Sequence, residues 1–147
     1  MRRPQPKSIL SLDVGQKRIG LAGCDPLGIS ITSLPAIHRK TYVEDIKILK
    51  FYCDKRNVKG LIVGIPLDEK GNTTEQSKYC EKLANRIAKT LDLPMALINE
   101  HSSSWAASEK FNLKKDRSGK LDSAAAALLL EQWLREGPEV KPVRMPA

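Results

Sequence analysis

The apolar positions of this chain change period several times, and each change marks an element. In SILSLDV (8–14), Leu10, Leu12 and Val14 alternate along one face of a β-strand, with Asp13 between the last two. RIGLAGCD (18–25) and ISITSLPAIHR (29–39) read as second and third strands, joined through Gly15-Gln16-Lys17 and Pro26-Leu27-Gly28. Joints this short predict antiparallel hairpins. From Thr41 to Asn57 the spacing becomes helical, with Tyr42, Ile46, Leu49 and Cys53 on one face and Gly60 just beyond the end. KGLIVGIP (59–66) is a continuous apolar run, as expected of a strand covered on both faces.

After the polar loop LDEKGN, Thr73 and Gln76 have capping-box spacing, and Tyr79, Leu83, Ile87 and Leu91 repeat every four residues. MALIN (95–99) follows Pro94 as another buried strand. Helices are expected at about 103–112 and 121–135, separated by the basic loop KKDRSGK. The order βββ-α-β-α-β-α-α predicts an α/β fold: a mixed five-stranded sheet with helices on both faces. Residues 1–136 are expected to form one domain, and the tail 137–147, with three prolines, to be extended or disordered.

Charge narrows the partner. The 147 residues carry 25 Lys+Arg against 17 Asp+Glu, a net +8, which favours polyanions. No apolar run approaches the roughly 20 residues of a membrane span, and the basic N-terminus leads into a strand with Asp13 rather than an apolar signal core. No membrane partner is therefore expected. Cys24, Cys53 and Cys80 are odd in number, far apart and lack a CxxC pair, which predicts core thiols in a reducing cytoplasm rather than disulfides or a zinc site.

Three carboxylates stand at element ends: Asp13 ends the first strand, Glu100 follows MALIN, and Asp122 opens the last helix in SGKLDSAAAALLLEQWL. On that helix Asp122 shares a face with Ala125, Ala126, Leu129 and Trp133. Singly, each has an ordinary role: Asp13 paired with Lys17 or Arg18, Asp122 as a cap or helix-dipole partner, Glu100 as a solvated loop acid. Converging, they would repel unless a divalent cation lay among them, and Mg²⁺ or Mn²⁺ suit an all-oxygen set.

The blocks LDVGQKRIGLAGCDPLG, LIVGIPLDEKG, the acid after MALIN and SGKLDSAAAALLLEQWL together resemble the YqgF (RuvX) family, from about Lys7 to Leu134. The resemblance implies a ribonuclease H-like fold whose acidic residues bind divalent metal. It also implies a cytoplasmic nuclease that matures the 5′ end of the 16S ribosomal RNA precursor. An earlier proposal for the family was Holliday-junction resolution. Carried over, Asp13, Glu100 and Asp122 become the catalytic and metal-binding acids. Many relatives read Asp-Glu-Arg then Leu-Thr-Thr, where this chain has Asn99-Glu100-His101 then Ser102-Ser103-Ser104. A histidine, largely neutral near pH 7, thus replaces the cation beside the acid.

The expected chemistry is metal-dependent phosphodiester hydrolysis. Lys17, Arg18, His101, Ser102, Ser103, Lys114, Lys115, Arg117 and Lys120 are the expected nucleic-acid contacts. Asp25 and Glu109 are further acids that nothing in the sequence selects. The partner is ribosomal RNA precursor, with branched DNA as alternative, for a monomer or homodimer. A binding module with little cleavage is the remaining reading. A sugar kinase or actin-like ATPase would need two such domains, and the length supplies one.

Overall fold

The computed structural model describes residues 3–100 and 119–143. Its strands are β1 (Ile9–Val14), β2 (Arg18–Cys24), β3 (Ile31–His38), β4 (Gly60–Ile65) and β5 (Met95–Asn99). They form one mixed sheet in the order β3-β2-β1-β4-β5. The two hairpins are antiparallel, and β4 and β5 run parallel to β1. The described helices are α1 (Tyr42–Lys55), α2 (Glu75–Leu91) and α3 (Lys120–Glu136). The helix expected at 103–112 lies outside the described residues.

Alternation along each strand sorts its side chains between two cores. Leu10, Leu12, Leu21, Leu61 and Val63 pack with Leu49 of α1 and Ile87 of α2. Ile9, Ala22, Ile62, Ala96 and Ile98 pack with Ala126, Leu130 and Trp133 of α3. β4 is buried along its whole length, as its continuous apolar run requires. The edge strand β3 contains Pro35, which cannot donate to a ladder. The β2–β3 register shifts between Ile19 and Leu21, so Pro35 falls at an irregularity of an edge strand, where proline is tolerated.

The structure moves two helix boundaries. Thr74, not Thr73, caps α2, and its box partner is Ser77, not Gln76. Thr74 Oγ1 accepts from Ser77 N at 3.1 Å, while Ser77 Oγ accepts from Thr74 N at 2.6 Å. Ser77 is buried where it reaches back to Thr74, whereas Gln76 is exposed. α1 ends at Lys55, two residues short of the expected Asn57: Asn57 takes a φ of 50°, and Val58 N returns to Cys53 O at 2.9 Å. Gly60 opens β4, where a Cβ would press on Ile9 and Val140.

Residues 137–143 are held to the fold at several points. Trp133 Nε1 donates to Pro138 O at 2.6 Å, and Lys141 exchanges both backbone hydrogen bonds with Met95. That bridge occupies part of the outer edge of β5, which would otherwise expose unpaired backbone groups. Glu139 pairs with Lys7 at 3.6 Å, tying the tail to the segment that leads into β1.

Cys24 and Cys80 are buried and Cys53 half-buried, all as free thiols. Burial, with a smaller push from Asp54, raises the Cys53 thiol to about 11, and burial raises Cys24 and Cys80 too. A raised folded-state value means the folded state favours the protonated thiol. Its contribution to stability is whole below the ordinary thiol value of 9.0 and is lost as pH climbs towards 11. At pH 8 the folded protein should therefore alkylate with iodoacetamide far more slowly than the urea-unfolded chain. Equal rates would contradict this burial.

Candidate active site

The parallel strands β1, β4 and β5 end along one edge of the sheet, where open α/β sheets place ligands. Asp13 is the penultimate residue of β1, and alternation with Ile9 and Ser11 places it on the α3 side. Ser11 marks that side, because its buried hydroxyl donates to Ala126 O of α3 at 2.8 Å. Glu100 follows β5, and its N–H donates to Ile65 O at 3.1 Å, carrying the β4–β5 ladder one step further. Alternation with Ala96 and Ile98 puts Glu100 on the same side as Asp13.

Gly64 of β4 lies between the two strands that carry these acids. A Cβ there would stand 3.1 Å from Glu100 Oε1 and 2.5 Å from Leu129 Cδ1. The Glu100 carboxylate therefore leans over β4 in the direction of β1, through space that only glycine leaves open. The Cys80 thiol of α2 is raised first by burial and then by the negative charges of Glu100 and Asp13, so both acids lie within its reach.

Asp122 arrives from a distant part of the chain. α3 begins at Gly119, which has a φ of 89° and makes no side-chain cap, so Asp122 is not the cap. The first turn of the helix rests directly on Gly20, the residue opposite Asp13 in the β1–β2 ladder. A Cβ at Gly20 would lie 1.9 Å from Asp122 O and 2.8 Å from Ser123 N. Ser123, buried beside it, donates to Leu34 O at 2.6 Å and accepts from Leu21 N at 3.3 Å, fixing the turn to β2 and β3. The Asp122 carboxylate itself accepts from Arg18 Nε at 2.8 Å, with the two side chains 26% and 24% exposed.

The three acids thus border one corner, on one side of the sheet. Among the described residues, however, no three His, Cys, Asp or Glu side chains stand close enough together to hold a metal ion. Arg18, one of the two cations that the sequence offers to Asp13, pairs with Asp122. Lys17 is exposed in the β1–β2 turn, and Lys120 is exposed at the first position of α3. His101, Ser102, Ser103, Lys114, Lys115 and Arg117, and with them Glu109, lie outside the described residues.

Asp25 does not join this corner. It follows β2, at the opposite end of the strand from Arg18, and its Oδ1 accepts from Ser30 N and Ile29 N at 2.9 and 2.7 Å, which lowers its pKa. One residue that sequence reasoning passed over is Arg39. Its Nη1 donates to Gly15 O at 2.7 Å and its Nη2 to Tyr79 Oη at 2.7 Å, joining the β1–β2 turn to α2. The only sequence signal was a cation directly after the third strand.

The family model described as RuvX, Holliday junction resolvase, matches residues 7–136. This chain belongs to the RuvX family. It is 61% identical over 145 residues to a Prochlorococcus marinus (strain MIT 9313) protein named "Putative pre-16S rRNA nuclease", covering 99% of this chain and 90% of that protein. A protein of the same name from Synechococcus sp. (strain CC9605) is 60% identical over 145 residues, covering 99% and 92%. Among solved structures, Thermus thermophilus RuvC aligns with a TM-score of 0.54 at 14% identity, over 92% of this chain and 99% of that one. RuvC in complex with a Holliday junction substrate aligns with a TM-score of 0.52 at 12% identity, over the same shares. The RuvX-family chain therefore has the RuvC-like, ribonuclease H-like fold, as its strand order and mixed sheet require. Among the described residues, no helix is long and apolar enough to cross a membrane.

Proposed function

We propose that this protein is a divalent-metal-dependent nuclease that hydrolyses phosphodiester bonds in the precursor of 16S ribosomal RNA, at its 5′ end, in the cytoplasm. Residues 1–136 would constitute the nuclease domain. The observation that carries the reading is the placement of Asp13 and Glu100 on one side of the sheet edge, with the carboxylate of Glu100 over Gly64.

The donor set suits a hard divalent ion, since all three acids offer carboxylate oxygens. Asp13, Glu100 and Asp122 would hold Mg²⁺ or Mn²⁺, and Asp122 reaches that role only by exchanging its bond to Arg18. When bound, the ion supplies a water of lowered pKa and stabilises charge on the leaving oxygen. The chain's own residues do the rest. Arg18, released from Asp122, is placed on β2 to meet the phosphate that displaces it, so one ion pair is traded for another. Lys17 and Lys120 lie exposed on either side of this corner and contact the flanking backbone. Next in the chain to the described edge, His101, Ser102 and Ser103 follow Glu100, and Lys114, Lys115 and Arg117 precede α3. These are the further nucleic-acid contacts proposed from the sequence.

Family membership keeps branched DNA as the second substrate. The test is incubation with 16S precursor RNA, single-stranded RNA and a four-way DNA junction, each with Mg²⁺, with Mn²⁺ and with chelator. RNA cleavage that chelator abolishes is the expected result. Cutting of the junction alone would move the assignment to resolution of branched DNA. Binding without metal-dependent cutting of any substrate would leave a binding module.

A further inference from the structure

A cleft of about 330 Å³ opens between α1 and α2, on the side of the sheet opposite the carboxylates. Arg39, Lys40, Lys82 and Arg86 line it, against a single acid, Asp45. The buried Asp45 accepts from Lys40 N at 3.1 Å, so its charge is directed at the backbone before α1. Two tyrosines and five apolar side chains, Leu49 and Ile87 of the core among them, complete the lining. The Arg86 guanidinium stacks 3.6 Å from the centre of the Tyr42 ring, which anchors that cation at the cleft. Tyr79 is 45% exposed; Arg39 donates to its hydroxyl, with the guanidinium carbon 5.8 Å from the ring centre, and the exposed part of the ring is what a planar group can reach.

Arg39 joins the cleft to the β1–β2 turn that follows Asp13. It lines the cleft and also donates to Gly15 O, two residues beyond Asp13, while its backbone N–H donates to Lys17 O at 2.9 Å. A strand leaving the carboxylate corner over the β1–β2 turn therefore meets Arg39 next. Four cations against one carboxylate select an anion, and exposed aromatic area beside them selects one that carries a planar ring. The volume lies at the small end of ligand clefts, about 300–1,000 Å³, and admits a single unit rather than a duplex.

We propose that the α1–α2 cleft is a second nucleic-acid subsite, which receives one nucleotide of the single strand that passes the carboxylate corner. Its phosphate meets Arg39, Lys82 and Arg86, and its base stacks on Tyr79. The proposal rests on reading the protein as a nuclease that acts on an RNA strand.

The test measures binding without cutting, by fluorescence anisotropy of a labelled single-stranded RNA dodecamer on the Asp13→Asn protein. Adding Lys82→Ala and Arg86→Ala together is expected to lower affinity about tenfold. It should also flatten the slope of log affinity against log salt by about 1.4, two phosphate contacts at about 0.7 each. Adding Tyr79→Ala is expected to cost about fivefold or more, and Tyr79→Phe should restore most of it, because stacking needs the ring and not the hydroxyl. These positions are at the surface, and thermal melting checks that each variant folds. If Tyr79→Ala and the double variant bind with unchanged affinity and salt slope, the subsite is wrong, while cleavage by the unsubstituted protein would still uphold the nuclease reading. If adenosine monophosphate displaces the dodecamer at concentrations matching the dodecamer's own affinity, the cleft is a free-nucleotide site and the proposal falls. Loss of binding in the variants of a protein that cuts nothing would sink the nuclease reading and leave the subsite standing.

Discussion

Asp13→Asn is expected to lower metal-dependent cleavage by more than about 100-fold, because even partners behind a metal ligand typically cost 10–100-fold when removed. Asparagine keeps the shape of the side chain and the backbone register of β1, where residue 13 pairs with Gly20. What it removes is the negative charge a hard cation needs. The substitution therefore separates charge from fold. Cleavage of precursor RNA should fall in Mg²⁺ and in Mn²⁺ alike, while thermal melting stays close to that of the unsubstituted protein. Equal cutting by both proteins would remove Asp13 from the site and leave the acid corner without its centre.

Gly20→Ala is expected to destabilise the protein by about 3 kcal/mol or more, at or beyond the upper range for overpacking a core. The new methyl would stand 1.9 Å from Asp122 O, an atom of helix backbone that no side-chain rotation moves aside. α3 must therefore lift from β2. As it does, Ser123 loses its bonds to Leu34 O and Leu21 N, and Asp122 leaves the corner beside Asp13. Urea denaturation should show a sharply lower midpoint, and cleavage should fall with it. Gly71→Ala supplies the comparison: its φ of 81° is left-handed, yet nothing lies within 4 Å of the added carbon. Only backbone strain of about 1–2 kcal/mol is expected there. If the two substitutions shifted the midpoint equally, close approach of α3 to Gly20 would not be what holds this corner together.

The candidate site was partly legible. Asp13, Glu100 and Asp122 could be picked out because ionisable groups at the ends of apolar elements contradict the pattern around them. Arg18 was visible as a cation but not as the partner of Asp122, since residues 104 positions apart have no shared local pattern. Gly20 read as one residue of the second strand, and nothing there marked its missing side chain as the place where the helix rests. Gly64 likewise passed as one residue of an apolar run. A glycine's demand for space is imposed by another element, so the residues next to it in the chain do not announce it. Arg39 was unremarked for the same reason, since its partners belong to the β1–β2 turn and to α2.

What the sequence determines by itself is the type and order of the elements. Alternation and helical spacing are local properties, and burial of one face enforces each of them along a few consecutive residues. The hairpins, the continuous run of β4 and the amphipathic α2 follow from that alone. Boundaries shifted by a residue or two where local groups competed: Ser77 reached back to Thr74, and Asn57 took a left-handed backbone that left α1 ending at Lys55. Only the tertiary structure decided which side of the sheet each acid faces, that α3 closes onto Gly20, and that Arg39 links the β1–β2 turn to the cleft between α1 and α2. Those relations depend on strand register and on one helix crossing, where a step of one residue turns a side chain to the other face of the sheet. No periodicity within a single element carries that information.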